Sequence, residues 1–156
     1  MTETTVIKKK IENFNKKINI SGDKSLSIRW VLFASLANGV SKSKHLLMSE
    51  DVLATINAIK KLGIKVKYNK DVCEIYGVGI DGYKYKKNLT INAKNSGTFG
   101  RLILGLLINT PYPIRLIGDK SLSKRDFKRI SDPLSIFGAN FKLTNNKNLP
   151  LKIYGS

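Results

Sequence analysis

The sequence predicts an α/β fold built from two repeated βαβαββ units. Three observations support this prediction. Segments with strand periodicity alternate with segments whose apolar residues recur at helical spacing, which favours a layered structure with right-handed crossovers. KKLGIKVKYN at 60–69 and SIFGANFKLT at 135–144 share a helix end, a glycine stop and a strand start, about 75 positions apart. Finally, the octapeptides GDKSLSIR and GDKSLSKR, which begin at Gly22 and Gly118, agree at seven of eight positions.

The spacing of apolar residues and the positions of turn residues predict a similar order of strands and helices in the two halves of the chain. Alternating apolar residues mark strands, and apolar positions three and four apart mark helices. The apolar residues of the first helix point in nearly every direction, so we expect it to be buried on all sides. The first half is predicted to hold a strand at 17–20, a helix at 26–38, a link at 41–47, a helix at 50–62 and a hairpin of 64–68 with 72–76. The second half is predicted to hold a strand at 89–92, a helix at 96–108, a strand at 114–117, a helix ending near 137 and a hairpin of 137–144 with 149–154.

Cysteine and histidine usage restricts the class of protein. Cys73 is the only cysteine, which excludes an internal disulfide framework and fits a reducing compartment, and we expect it in the core. His45 is the only histidine and is expected in a surface loop. These two residues offer no metal site, so no metal is predicted. Neither a long apolar run nor a signal-peptide pattern is visible, so we expect a soluble, cytoplasmic protein without a membrane segment.

The charge balance predicts anionic partners. The formal net charge is +17, from 28 Lys and Arg against 11 Asp and Glu. Such a charge attracts phosphates and carboxylates of many kinds. A basic nucleic-acid-binding module is one interpretation, but the lysines are spread along the sequence and no RNP motif, zinc finger or heptad zipper is visible. Small anionic substrates are therefore favoured over nucleic acid.

The first candidate anion site is the stretch SGDKSLSIRW near the amino terminus. Gly22 permits a tight turn, and Ser25 or Ser27 is expected to cap the helix that follows. Lys24 and Arg29 place two positive charges near the start of this helix, where free N–H groups and the helix dipole favour an anion. The alternative interpretation is an ordinary capped helix with solvated basic residues.

The second candidate anion site is the stretch NSGTFGR, which follows a predicted strand. Gly97 allows a bound group to approach the main chain within hydrogen-bonding distance, and Asn95 lies just before it in the same turn. Ser96 or Thr98 is expected to cap the next helix, and Arg101 lies one turn further on. The alternative is a structural helix start whose apolar residues only pack in the core.

The third candidate anion site is GDKSLSKR, the near copy of the first. It again places Lys and Arg beside a glycine turn after a strand, an arrangement suited to holding several phosphate or carboxylate oxygens. Arg125 and Arg129 are the expected contacts. A solvated basic helix start is the alternative here as well.

Together the three turns resemble the motifs of the enolpyruvylshikimate-phosphate synthase (3-phosphoshikimate 1-carboxyvinyltransferase) family. SGDKSLSIR resembles the family's PGDKSISHR, NSGTFGR resembles its NSGT motif followed by two variable residues and arginine, and GDKSLSKRD resembles its GDxSLxxRP. The resemblance covers about residues 18–155. Ser21 and Asp126 stand where the family has proline, and we expect Asp126 to offset part of the charge of Arg125.

The resemblance implies a fold and a domain organisation. The fold would be an enolpyruvyl transferase-like domain of the inside-out α/β barrel type, with three βαβαββ units in each of two domains. Residues 18–156 would form an incomplete domain of two units, at about 18–80 and 88–156, preceded at 1–17 by an N-terminal tail or interdomain strand segment. Family members are much longer and place the site between domains, so a chain without the other carboxylates and basic residues is expected to be a fragment that lacks turnover by itself.

The resemblance also implies a reaction and its residues. The enolpyruvyl group of phosphoenolpyruvate would pass to the 5-hydroxyl of shikimate 3-phosphate through a tetrahedral adduct, in the shikimate pathway to chorismate and aromatic amino acids, with no metal or organic cofactor. Lys24, Ser25 and Arg29 would bind shikimate 3-phosphate. Lys24, Gly97 and Arg125 would bind phosphoenolpyruvate, so Lys24 would bridge the two substrates. Secondary candidates lie in the second turn: Asn95, Thr98 and Arg101. A UDP-N-acetylglucosamine enolpyruvyl transferase remains the alternative enzyme, although KS followed by Arg favours shikimate 3-phosphate.

Overall fold

A computed structural model describes residues 4–10, 12–13, 15–18, 20–69 and 71–156, and shows the mixed α/β fold that the sequence predicts. The α-helices are α1 (Lys24–Leu36), α2 (Glu50–Lys61), α3 (Gly97–Leu106) and α4 (Lys128–Ile136). The strands are β1 (Asn38–Lys44), β2 (Lys65–Asn69), β3 (Val72–Val78), β4 (Thr90–Asn92), β5 (Ile114–Ile117), β6 (Asn140–Thr144) and β7 (Asn148–Tyr154). A short 3-10 helix, Leu122–Lys124, lies between β5 and α4.

The strands form two sheets with corresponding connectivity. In the first sheet the order is β1-β3-β2, and both pairings are antiparallel. In the second sheet the order is β4-β5-β7-β6, with β4 and β5 parallel and the other pairs antiparallel. The positions of β1, β3 and β2 therefore correspond to those of β5, β7 and β6. The second half follows the order βαβαββ, whereas the described residues of the first half begin with a helix. Internal duplication stays a prediction.

Two sequence predictions in the first half are wrong. Residues 17, 18 and 20 lie outside any strand, and Ile18 and Ile20 are exposed; Asn19 falls outside the described residues. The segment predicted as a link instead contains β1, which pairs with β3 along its whole length. Its sequence NGVSKSK shows little apolar alternation because β1 has no buried face, and backbone pairing with β3 stabilises the strand. In the described parts of 1–17 there is neither helix nor strand.

Helix α1 differs from its prediction in its cap and in its burial. Asp23, and not Ser25 or Ser27, caps the helix: its Oδ1 accepts a hydrogen bond from the N–H of Leu26 at 2.7 Å. The helix ends at Leu36 and not at the predicted residue 38, and Asn38 and Gly39 instead open β1. Leu26 and Phe33 are each 66% exposed, so α1 is buried on one side and not on all sides.

One hydrophobic core joins the two halves of the chain. Apolar side chains of both sheets and of α1, α2 and α3 meet in a single buried cluster, and α1 packs against both α2 and α3. Phe99 and Phe127 are its largest fully buried side chains. Cys73 is buried on β3, as predicted, and burial raises the pKa of its thiol. His45 is exposed in the bend after β1, also as predicted.

Two further features of the described residues bear on function. None of the helices in this part of the chain is long and apolar enough to cross a membrane. Across the same residues, no cluster of three or more His, Cys, Asp or Glu side chains could hold a metal ion.

Candidate functional site

Two arginines meet at the amino end of α3, beside Gly97. A Cβ atom built on Gly97 would lie 2.9 Å from Nη1 of Arg125 and 3.0 Å from Nη1 of Arg101. Arg125 also donates a hydrogen bond from Nη2 to Oδ1 of Asn95 at 3.1 Å. We call Asn95, Gly97, Arg101 and Arg125 the Gly97 group. The structure thus brings together Gly97 and Arg125, which are both expected to bind phosphoenolpyruvate. The secondary candidates Asn95 and Arg101 lie beside them.

The backbone at Gly97 is itself suited to an anion. Ser96 is the N-cap of α3, as predicted, and its hydroxyl accepts a hydrogen bond from the N–H of Phe99 at 3.3 Å. Because the first N–H groups of a helix have no partner within it, those of Gly97 and Thr98 are left for a ligand or for solvent. The first turn of α3 contains no acidic residue, so the positive end of the helix dipole is not offset there.

The second and third turns leave the same edge of one sheet. β4 and β5 are parallel neighbours, so their carboxyl ends meet at this edge. The turns are also bonded to each other, since the N–H of Asp119 donates to the carbonyl oxygen of Lys94 at 2.8 Å. Asp119 in turn accepts a hydrogen bond at Oδ1 from the N–H of Leu122 at 2.7 Å. This network fixes the path that brings Arg125 back to Asn95.

Asp126 lies next to Arg125, but its side chain is hydrogen-bonded to the start of the following helix. Its Oδ1 accepts a hydrogen bond from the N–H of Lys128, in the first turn of α4, at 2.7 Å. No ion pair joins Arg125 to Asp126 within the described ranges. The guanidinium of Arg125 turns instead toward Asn95. No direct contact therefore supports the expectation that Asp126 offsets part of the charge of Arg125.

The guanidinium of Arg101 packs against the aromatic ring of Phe127. The guanidinium carbon of Arg101 lies 5.6 Å from the centre of the fully buried Phe127 ring. Such stacking orients a guanidinium without neutralising it. The Nε of Arg101 is buried and has no hydrogen-bond partner among the residues that the structure describes. Arg101 thus presents an unneutralised guanidinium beside Gly97.

The first turn is anchored to the segment before α2. Gly22 packs so closely against this segment that an added Cβ would lie 2.7 Å from the carbonyl oxygen of His45. The hydroxyl of Ser27 donates to the carbonyl oxygen of Asp23 at 2.7 Å and accepts from the N–H of Leu47 at 3.2 Å. The glycine is required here for close packing.

Lys24 forms an ion pair that the sequence analysis missed. Its Nζ lies 3.1 Å from Oδ2 of Asp51, with the side chains 51% and 19% exposed respectively. Asp51 lies in the first turn of α2, where the helix dipole favours an acid. The available signal was its position at the amino end of the helix after the first turn. An ammonium has three donors, so Lys24 retains donors for a ligand.

Four predicted residues stay separate from the Gly97 group: Lys24, Ser25, Arg29 and Arg129. Ser25 is half-buried, and Arg29 and Arg129 are exposed. Within the described part of the chain, no hydrogen bond or ion pair joins Lys24, Ser25 or Arg29 to this group, although α1 and α3 pack against each other. The structure therefore shows two basic groups on one folded unit: the Gly97 group, and Lys24 with Arg29 on α1.

The fold and these turns define an α/β domain with glycine-containing basic turns that lead into helices. The chain belongs to the EPSP synthase family: the family model described as EPSP synthase (3-phosphoshikimate 1-carboxyvinyltransferase) matches residues 8–156. The resemblance read from the three motifs is thereby confirmed.

Named relatives and solved structures agree with this assignment. The chain is 46% identical over 139 residues to 3-phosphoshikimate 1-carboxyvinyltransferase of Ruthia magnifica, covering 88% of this chain and 31% of the relative. It is 40% identical over 148 residues to the enzyme of the same name from Oenococcus oeni, and the match covers 94% of this chain and 33% of the relative. It superposes on EPSP synthase from Acinetobacter baumannii with a TM-score of 0.83 and 35% identity, covering 90% of this chain and 32% of that one. The chain thus spans about a third of the length of these relatives.

Proposed function

We propose that the protein transfers the enolpyruvyl group of phosphoenolpyruvate to the 5-hydroxyl of shikimate 3-phosphate, and that these 156 residues supply part of the substrate-binding site. The observation that carries the proposal is the convergence of Arg101 and Arg125 on Gly97, at the amino end of α3. The family and the names of the relatives support the substrates. Shikimate 3-phosphate and phosphoenolpyruvate are both multiply charged anions.

The residues divide between the two substrates. Gly97 and Arg125 bind phosphoenolpyruvate, with Arg101, Asn95 and Thr98 beside them. Ser25 and Arg29 bind shikimate 3-phosphate. Lys24 binds both substrates.

Preorganised positive charge is the chemical contribution of this part of the site. Two anions repel each other when they are brought together, and fixed cations offset that repulsion. The same cations stabilise the phosphate that leaves the tetrahedral adduct. The pairing with Asp51 holds the ammonium of Lys24 in place while leaving it accessible to a substrate phosphate.

The proton-transfer groups are proposed to lie in the remainder of the longer protein. The Gly97 group contains no carboxylate or imidazole among the residues that the structure describes. Residues 18–156 would be the first two units of a domain whose remaining part completes the site. The 156-residue chain alone should therefore bind phosphates without turning over.

The proposal is tested by the binding of shikimate 3-phosphate to Lys24→Ala. Loss of a hydrogen bond to a charged group costs about 1.5–3 kcal/mol, so affinity should fall about 10- to 100-fold. Lys120 provides a matched control, because it occupies the same place in the other GDKSLS copy. Isothermal titration calorimetry should show Lys120→Ala within about twofold of wild type.

Unchanged affinity in Lys24→Ala would contradict the assignment of Lys24. Addition of UDP-N-acetylglucosamine to the same titration distinguishes the two acceptors, and we expect it not to compete. Competition by it would favour the alternative transferase. A gel shift of any DNA or RNA at low salt, with no binding of shikimate 3-phosphate, would favour the nucleic-acid module.

We also propose a cytoplasmic location. The lone cysteine, Cys73, is buried and unpaired, as is common in reducing compartments. Cell fractionation that finds the protein outside the cytoplasm would contradict this location.

A further inference from the structure

The second sheet carries a row of three cations at directly opposite positions. Arg115 on β5 is in register with Lys152 on β7, which is in register with Lys142 on β6. All three are exposed. Neighbouring strands lie about 4.8 Å apart, so the three side chains start within about 10 Å of one another. We call Arg115, Lys152 and Lys142 the basic row.

The first sheet has the same row with a carboxylate at its centre. Lys42 on β1, Glu74 on β3 and Lys67 on β2 occupy the corresponding positions. The Nζ of Lys42 lies 2.7 Å from Oε1 of Glu74, and this contact lowers the pKa of that carboxyl. The signs alternate along this row, so its charges offset one another.

The basic row has no such compensation. Lys152 stands where the first sheet has Glu74, which places like charges directly opposite each other, a destabilising arrangement. No ion pair of these three residues with an acid occurs in the described part of the chain. An external anion would relieve their repulsion.

The surface around the basic row has room for a ligand. An open cavity of about 660 Å³ is lined by all three cations and by Thr90, Pro150 and other residues, none of them acidic. Tyr154 forms one side, where the Nζ of Lys142 lies 5.8 Å from the ring centre. The cavity on the first sheet, in contrast, is lined by Asp71 and Glu74 as well as by lysines.

We propose that the basic row binds a small anion with several phosphate groups in a chain. An arginine fork and two ammonium groups suit adjacent phosphates, each of which brings several acceptor oxygens. A single-stranded nucleic acid needs a longer basic groove with several aromatic side chains on which successive bases stack. This cavity is lined by only three cationic side chains and one tyrosine. The site shares no residue with the Gly97 group or with the first turn, so it goes beyond the proposed function.

The register of the strands produces this site, which cannot be recognised from the order of residues in the sequence. The cations lie 27 and 10 positions apart along the chain, and therefore looked spread rather than clustered. Antiparallel pairing of β5, β7 and β6 brings them side by side.

Inorganic tripolyphosphate is the probe for this proposal. It is titrated into the 156-residue chain by calorimetry at about 0.15 M salt, where exposed charges more than roughly 8 Å apart are largely screened. Lys152→Glu restores the alternation seen in the first sheet and should weaken binding at least about tenfold. Lys44→Glu makes the same change of net charge at an exposed position on β1 and should keep binding within about twofold. Circular dichroism checks that both variants fold.

Four results would overturn the proposal. Absence of tripolyphosphate binding, or binding that Lys152→Glu leaves unchanged, would show that the basic row is not the site. Equal weakening by Lys44→Glu would assign the binding to net charge alone. Tighter binding of a single-stranded oligonucleotide than of tripolyphosphate, lost in Lys152→Glu, would make nucleic acid the occupant.

Discussion

Asp23 and Asp119 make the same local hydrogen bonds in the two GDKSLS copies. Each accepts from the N–H three residues later at 2.7 Å. Within the octapeptides the two copies differ at one position, which is Ile28 in the first copy and Lys124 in the second. Ile28 is fully buried and gives α1 an apolar face to pack, whereas Lys124 is exposed and the second copy stops after a 3-10 turn.

Gly97 is the residue at which a small change should affect binding most directly. A Cβ there would meet the guanidinium nitrogens of Arg125 and Arg101 at 2.9 and 3.0 Å, so both side chains must shift. We expect Gly97→Ala to weaken phosphoenolpyruvate binding about tenfold, or roughly 1.4 kcal/mol, because a displaced fork loses its alignment with phosphate. Equilibrium binding of labelled phosphoenolpyruvate, with shikimate 3-phosphate present, measures the change.

Gly105→Ala is the matched control on the same helix. Nothing lies within 4 Å of a Cβ built there, so binding should not change. The substitution should instead stabilise the chain by about 0.4–1 kcal/mol, since alanine restricts the unfolded state. Equal loss of binding in the two variants would show that helix α3, and not the space beside Gly97, controls the site.

The two sheets show how one arrangement of strands can hold different charge patterns. The first sheet centres its row on Glu74, and the second places Lys152 at the corresponding position. Tyrosines follow the same plan: the Nζ of Lys67 lies 5.6 Å from the Tyr76 ring, much as Lys142 lies over Tyr154. The pairing of the strands therefore fixes the positions of the side chains. The residue type at each position decides whether the charges are neutralised.

The first sheet should lose stability in acid through Glu74. Its pKa is lowered mainly by the hydrogen bond from Lys42, so the folded state favours the ionised form. Stability from this pair is present above the pKa of an unfolded glutamate, near 4.3, and is lost as pH falls through the lower folded value. Glu74→Gln should thus be less stable than wild type near pH 6, with the difference shrinking toward pH 3.

Urea unfolding at a series of pH values measures this prediction. Glu12→Gln serves as the control, since Glu12 is exposed and lies outside the sheets. Its stability difference from wild type should be small at every pH. A Glu74→Gln difference that stays constant down to pH 3 would contradict a role for the ionised carboxylate.

At the scale of the whole molecule, one core supports both basic groups. α1 carries Lys24, α3 begins at Gly97, and these helices pack on each other within the same apolar cluster. Phe127 links the core to the site, because its ring is fully buried and lies against Arg101. Core packing and the position of a cation are therefore coupled at this residue.

Phe127→Ala should destabilise the chain by about 3–5 kcal/mol, the usual cost of removing a buried phenylalanine. Phe137→Ala is the control, because Phe137 is exposed just after α4 and its loss should change stability by no more than about 0.5 kcal/mol. Urea denaturation measures both. Similar midpoints for the two variants would contradict the assignment of Phe127 to the core.

The sequence by itself determined the α/β class, most helices and hairpins, and the turns that match the family. These features depend on local patterns: apolar periodicity, glycine stops and capping residues. Ser96 at the start of α3 and the buried Cys73 are examples.

Only the tertiary structure decided the features that depend on long-range pairing. β1 forms because β3 lies beside it, Asp51 meets Lys24 because α2 packs near α1, and the basic row exists because three strands align. Partners distant in sequence leave no periodic pattern along the chain. The physical reason is that register and packing join residues through space, while local propensity acts only between near neighbours.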